Sequence, residues 1–265
     1  VTQITVEITA TRGSAPRDAG TVMVVSPTDI TGTIGGGALE YRAIETARRL
    51  MAKDRPLLEE TIPLGPDLGQ CCGGAVSLRY STAAHAPDAP QPTRFAPGLV
   101  PDRSLGDLWV WGAGHVGRAV IRQAAPLRAF NLCWIDSDMT RFPADIPDTV
   151  TPLAARDMPR LVTHAPRTAH HLIFTYSHDI DLALCSALLT HGFASCGLIG
   201  SQTKKTRFFK RLRAAGLTPE RIDCPIGTPA QGKHPDAIAH STLTVLLKTL
   251  QQRDDSAPDK KAVHP

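Results

Sequence analysis

Residues 108 to 136 constrain the fold more tightly than any other stretch. Leu108-Trp109-Val110-Trp111 is a short apolar strand that runs directly into Gly112-Ala113-Gly114-His115-Val116-Gly117 and then a helix ending near Ala125. A second strand, Leu132 to Ile135, finishes at Asp136. That acid lies roughly 20 residues beyond the last glycine, where a dinucleotide-binding unit places the group that meets a ribose. In such a unit the glycines make the turn and admit a pyrophosphate to the helix N-terminus. The order strand, glycine turn, helix, strand and acid predicts a Rossmann-like parallel sheet.

Later segments extend that sheet. His171 to Thr175 and Cys196 to Ile199 read as strands, followed by helices over Leu182 to Thr190 and about Thr203 to Ala215. Polar turns of an open parallel sheet gather at the carboxyl ends of its strands, so His178, Asp181, Ser201 and Lys204, next to Gly200, are expected to face one crevice. Asp181 or Asp179, and Ser201, also suit helix N-caps without any ligand. Lys204, Lys205, Arg207, Lys210, Arg211 and Arg213 surround Phe208 and Leu212 at helical spacing and read as a solvated face. Lys204 sits early enough in that helix to reach an anion.

The chain breaks once, from Ser81 to Gly106, where Pro87, Pro90, Pro92, Pro97 and Pro101 interrupt any apolar period. This predicts an exposed linker of polyproline character between residues 1–80 and a Rossmann-like unit over 107–250, with 251–265 a polar tail. In the first unit Ile4, Val6 and Ile8 alternate as in a half-buried strand, and Thr21 to Val25, Leu57 to Ile62 and Ala75 to Tyr80 read likewise. Gly35-Gly36-Gly37 leads into a helix, Ala38 to Met51, with Leu39, Ala43, Ala47 and Leu50 on one face. The expected class is α/β, a small N-terminal α/β domain followed by a Rossmann-like parallel-sheet domain. Val1 falls inside a strand pattern, and residues upstream of it are expected.

Between two of the N-terminal strands lies Gly69-Gln70-Cys71-Cys72-Gly73-Gly74. Adjacent cysteines do not easily close a disulfide with each other and lack the two-residue gap of a zinc hook. Flanking glycines let a bulky partner approach closely, so the thiols read as a site offered to something. Cys133, Cys185, Cys196 and Cys224 fall in or beside core elements and read as packing residues. Six cysteines in 265 residues, with no apolar leader at Val1 to Ala10 and no long apolar run, lead us to expect a reducing cytoplasm, no disulfides and no membrane segment. Net charge is +4 and only 5% of residues are aromatic, which favours small anions over nucleic acid.

These motifs together resemble the XdhC/CoxI family, accessory proteins of molybdenum-containing hydroxylases such as xanthine dehydrogenase. The resemblance runs through Thr11-Arg12-Gly13-Ser14-Ala15-Pro16-Arg17, Gly32 to Glu40, Cys71-Cys72-Gly73-Gly74, Gly112 to Gly117, Ser177-His178-Asp179 and Ile199-Gly200-Ser201 with Lys204 and Lys205, and ends near Pro225-Ile226-Gly227 and His234-Pro235. It implies a protein, not itself an enzyme, that binds the molybdenum cofactor (molybdopterin), shelters it while a cysteine desulfurase replaces an oxo ligand with sulfur, and delivers it to an apo molybdenum hydroxylase. It also implies a homodimer. For that ligand, Gly35, Gly36 and Gly37 at a helix start offer backbone donors, and Arg12 and Arg17 forked ones, with Ser14 and Glu40 beside them. Cys71 or Cys72 could serve as metal ligand, sulfur relay or guard against oxidation. The alternatives are an NAD(P)-dependent oxidoreductase, suited to the glycine turn and Asp136 but lacking a clear hydride-transfer acid/base pair, and a thiol or metal module, for which further ligands at suitable spacing are missing.

Overall fold

The computed structural model describes residues 2–55, 57–65, 74–88, 94–100, 102, 104–228 and 232–255. The first sheet is built from β1 (Ile4–Arg12), β2 (Val22–Val25), β3 (Ile30–Gly32), β4 (Leu58–Pro63) and β5 (Ala75–Ser81), with α1 (Gly37–Ala52) between β3 and β4. All its pairings are antiparallel, in the order β3-β2-β1-β5-β4. Alternation in β1 sends Ile4, Val6 and Ile8 to one face, where Met23, Val25, Ile62, Val76, Leu78 and Tyr80 join them under Leu39, Ala43 and Ala47 of α1. On the other face Arg79 pairs with Glu59 and Glu7.

The second sheet contains β6 (Asp107–Trp111), β7 (Asn131–Asp136), β8 (Val150–Ala154), β9 (His170–Ile173), β10 (Ser195–Leu198) and β11 (Ile222–Asp223). Its strands are parallel, in the order β11-β10-β9-β6-β7-β8, so the winding reverses between β6 and β9. The helices are α2 (His115–Ala124), α3 (Met158–Leu161), α4 (His178–His191), α5 (Gln202–Ala214) and α6 (Pro235–Asp255). Because both faces of β6 are covered, its residues alternate between two cores. Leu108 and Val110 pack with α2 and α6, while Trp109 and Trp111 pack with α3, α4 and α5. The expected Rossmann-like parallel sheet is present, with helices on both of its faces.

Three features differ from the sequence reading. Residues 94–100 are not simply exposed. Leu99 is buried and Phe95 packs against His240, while Gln251 of α6 donates to the carbonyls of Gly98 (2.8 Å) and Leu99 (3.2 Å). The segment has no helical or strand period because its few apolar residues dock individually on α6. Second, α6 runs through to Asp255, past the point where a polar tail was expected to begin. Third, α5 does not present all its cations to water, because Lys204 is 3% exposed.

Candidate functional site

The glycine turn after β6 is built mostly by steric necessity. Gly112 has φ +116°, and a Cβ there would run into the carbonyl of Phe174. A Cβ on Gly117 would collide with the carbonyl oxygen of Gly112, to which the Trp134 indole donates at 3.1 Å. These two glycines let α2 sit directly on its strand. Gly114, the N-cap of α2, differs: it is exposed, and a Cβ there would meet nothing within 4 Å. The only glycine of the three that the protein itself does not require opens outward at the helix N-terminus.

Asp136 is spoken for internally. It is 1% exposed, and its Oδ2 accepts the Ala113 amide at 2.6 Å while its Oδ1 accepts the Ser137 amide at 2.6 Å and hydroxyl at 3.0 Å. Arg141 Nε stands 2.7 Å from the same Oδ1. The acid that the sequence assigns to a ribose instead clamps the turn.

The N-terminal unit meets the Rossmann turn at His115. Glu40, in the first turn of α1, accepts from Thr33 Oγ1 (2.5 Å), Ile34 N (3.0 Å) and Gly36 N (3.1 Å) through Oε2. Its Oε1 lies 2.8 Å from His115 Nε2. An ionised carboxylate only accepts, so Nε2 carries the proton. Burial pushes the Glu40 carboxyl upward, but the bonds from His115, Thr33 and Gly36 outweigh it and hold the group below its ordinary value. The triple-glycine turn therefore spends two of its donors inside the protein, since Gly35 N also goes to Thr33 Oγ1 at 3.0 Å. What remains for a ligand is the first-turn amides of α1 beyond Gly36, which lack intrahelical acceptors as in any helix.

The other N-terminal residues adjoin this junction unevenly. Pro16 packs so closely on Gly35 that a Cβ there would lie 2.5 Å from its Cγ, and a Cβ on Gly74 would run into the carbonyls of Arg12 and Ser14. Gly74 thus lies against the 12–17 loop; Cys71, Cys72 and Gly73 lie outside the described residues. Arg12 is exposed. Arg17, expected as a forked donor, is instead 5% exposed, pairs with Asp88 and donates to the Lys233 carbonyl at 3.4 Å. Lys233 in turn pairs with Asp18 at 2.8 Å, so this loop fastens the N-terminal unit to the segment before α6.

A second polar cluster lies beyond β9 and β10. Thr175 donates through Oγ1 to Asp181 Oδ1 at 2.6 Å, and Lys204 Nζ reaches Asp181 Oδ2 at 2.5 Å and the Ile199 carbonyl at 2.9 Å. Asp181 and Lys204 are both buried, and Gly200 leaves room for the lysine stem, whose Cδ would stand 2.8 Å from a Cβ there. Lys204 is thus an internal cation and is not presented to an anion. Ser201 caps α5, accepting from the Lys204 amide, and Ser177 caps α4 in place of either aspartate. His178 stacks edge-on against Phe208 with centroids 6.1 Å apart. Burial and the nearby Lys204 depress it to about 4, so its ring is neutral at neutral pH.

The residues fall into two groups: Gly36, Glu40, Gly114 and His115 at the junction, and Asp181, Lys204, His178 and Ser201 farther along the sheet edge. Thr33, Asp88, Arg141, Thr175 and Lys233 complete these networks and were not singled out from sequence. Their partners lie up to 216 residues away, and Tyr176, beside the Ser177-His178 segment, was the one signal available. Among the described residues no group of three or more His, Cys, Asp or Glu side chains could hold a metal, and no helix is long and apolar enough to cross a membrane.

The geometry defines a two-unit α/β protein in which a glycine-rich helix start from each unit meets at one junction. Comparison with known proteins agrees. Residues 108–245 match the family model described as the XdhC Rossmann domain, and residues 4–61 match that of the XdhC and CoxI family. The chain belongs to the XdhC family. It is 28% identical over 249 residues to YqeB of Escherichia coli K12, described as uncharacterized, covering 91% of this chain and 42% of that protein. The chain therefore spans well under half the length of that relative. A crystal structure from Bacillus halodurans described as a xanthine dehydrogenase has the same fold, with TM-score 0.51 and 15% identity over 97% of this chain and 94% of that one.

Proposed function

We propose that this protein is a molybdenum-cofactor chaperone, which receives the cofactor at the junction of its two units, holds it during sulfuration by a cysteine desulfurase and passes it to an apo hydroxylase of the xanthine dehydrogenase type. The observation that carries this reading is the Glu40–His115 contact, because it sets two glycine-rich helix N-termini side by side at the edge of the Rossmann unit. When bound, the cofactor supplies a phosphate, a polar pterin and a metal held through sulfur.

The donors suit the anionic end of such a ligand: the open space before Gly114, the first-turn amides of α1 and α2, and the exposed Arg12. Cys71 and Cys72 would meet the metal–sulfur end as soft donors or as a sulfur relay. Buried Arg17 and Lys204 have no part in binding and serve to hold the walls. His115 keeps the two units in register while its Nε2–H donates to Glu40. On this reading the protein binds and transfers without turnover of its own, in the cytoplasm, as a dimer.

Activation of an apo hydroxylase by cofactor-loaded protein tests the proposal. Cys72→Ser, Cys71→Ser and the double serine variant should fold as wild type but lose cofactor retention or client activation. Equal retention and equal activation by the double variant would remove the assigned role of the thiols.

A further inference from the structure

The ligand crevice of an open parallel sheet lies outside the carboxyl ends of the strands where the winding reverses, here between β6 and β9. In this protein its own side chains bridge that place. Asp136 has both carboxylate oxygens engaged, Oδ2 by the Ala113 amide at 2.6 Å and Oδ1 by Ser137 and by Arg141 at 2.7 Å. A ribose diol requires an accessible acceptor, and this carboxylate is 1% exposed with both oxygens already contacted from within the protein. Arg141, in the turn after β7, continues from Asp136 to lie over the ring of Tyr176, 4.3 Å from its centroid, in the turn after β9. Since β7 and β9 flank β6, a contact between the turns that follow them crosses the end of β6, where the glycine turn lies. Arg118 of α2 fixes this crossing from below, donating through Nε to the Ala113 carbonyl at 2.9 Å and through Nη2 to the Arg141 carbonyl at 2.7 Å.

We propose that Asp136 and Arg141 close this crevice to adenine dinucleotides, making the glycine turn a docking element of the fold and not a nicotinamide or flavin site. Asp136 is a positioning residue: it locks Ala113, and with it the turn, through a carboxylate that a ribose would have to strip of its partners. Arg141 and Tyr176 form a strap beside Asp136 across the space that the adenosine ribose would occupy, and leave the N-terminus of α2 at Gly114 open. Neither group belongs to the Glu40–His115 junction, so this inference stands or falls independently of the chaperone reading.

The test is a fluorescence titration of NADH and NADPH into wild type, Arg141→Ala and Arg141→Ala/Asp136→Asn, with amide exchange measured over residues 112–117. Wild type should show no saturable binding into the millimolar range, with the Ala113 amide protected. Arg141→Ala should gain affinity by about tenfold or more, a change of about 1.4 kcal/mol, and adding Asp136→Asn, which loosens the hold on the Ala113 amide, should not reverse the gain. Micromolar binding of either dinucleotide by wild type would overturn the proposal, as would the absence of any gain in Arg141→Ala. Arg141 is 38% exposed, so its truncation leaves the core intact. If the double variant fails to fold, rapid exchange of the wild-type Ala113 amide remains a refuting result.

Discussion

Removing the Glu40 carboxylate should destabilise the protein by an amount that its partners set. In Glu40→Ala the buried Ile34 amide, the half-buried Gly36 amide and the Thr33 hydroxyl all lose their acceptor, and His115 loses its link to the N-terminal unit. A stranded buried donor costs about 1–3 kcal/mol; with only Ile34 fully buried the sum is about 3–4 kcal/mol. At about 3 °C per kcal/mol for a chain of this size, Tm should fall by about 10 °C. Glu40→Gln keeps an acceptor for the amides but loses charge and the His115 bond, and should cost about 1–2 kcal/mol. The pH dependence follows from the depressed carboxyl. Its contribution is present in full above the ordinary value of 4.5 and is lost as pH falls through the lower folded value, a loss that Glu40→Gln should lack. Scanning calorimetry of the three proteins between neutral pH and pH 3 reads both effects. A Glu40→Ala protein within about 1 kcal/mol of wild type, or an unchanged acid limb in Glu40→Gln, would refute the reasoning.

Further outcomes follow from the same structure. Lys204→Met or Asp181→Asn should each cost about 3–5 kcal/mol in urea denaturation because each leaves a buried charge or its partner unpaired; near-wild-type stability would mean the pair is hydrated. Gly112→Ala should fail to accumulate as folded protein, whereas Gly114→Ala should retain wild-type Tm and Gly114→Asp should fold but lose client activation. Native thiol titration should report Cys71 and Cys72 alone within the fast phase. Cys185 and Cys196 are buried with thiols pushed up by desolvation, and the thiol of half-buried Cys133 is pushed up to about 12; rapid labelling of these after peptide mapping would contradict this account of their reactivity.

Most of the architecture was legible because its signals are local. Alternation in Ile4 to Ile8, the glycine turn after Trp111 and the cap at Ser201 act within a few residues. The strand at Val150–Ala154 escaped because Pro152 and its polar neighbours do not read as a strand, and they are tolerated at the sheet edge. α6 is rich in β-branched residues, including Thr242, Thr244 and Val245, and is held as a helix by packing on α2. The site was harder to read for a different reason. The sequence identifies Asp136, Arg17, Lys204 and Glu40 as polar residues in suggestive places, but whether each faces a ligand depends on partners far away in the chain. All four prove to be buried and paired within the fold, and two of them, Glu40 and Arg17, also join the two units.

The most direct measurement of the central claim is the molybdenum and pterin content of the protein purified from a host that makes the cofactor, beside the same protein from a host that cannot. The chaperone account predicts molybdenum and pterin bound in near-equal amounts by wild type from the first host and lost in the Cys71→Ser/Cys72→Ser variant. Protein that carries neither, and that still activates an apo hydroxylase to the full extent, would contradict it.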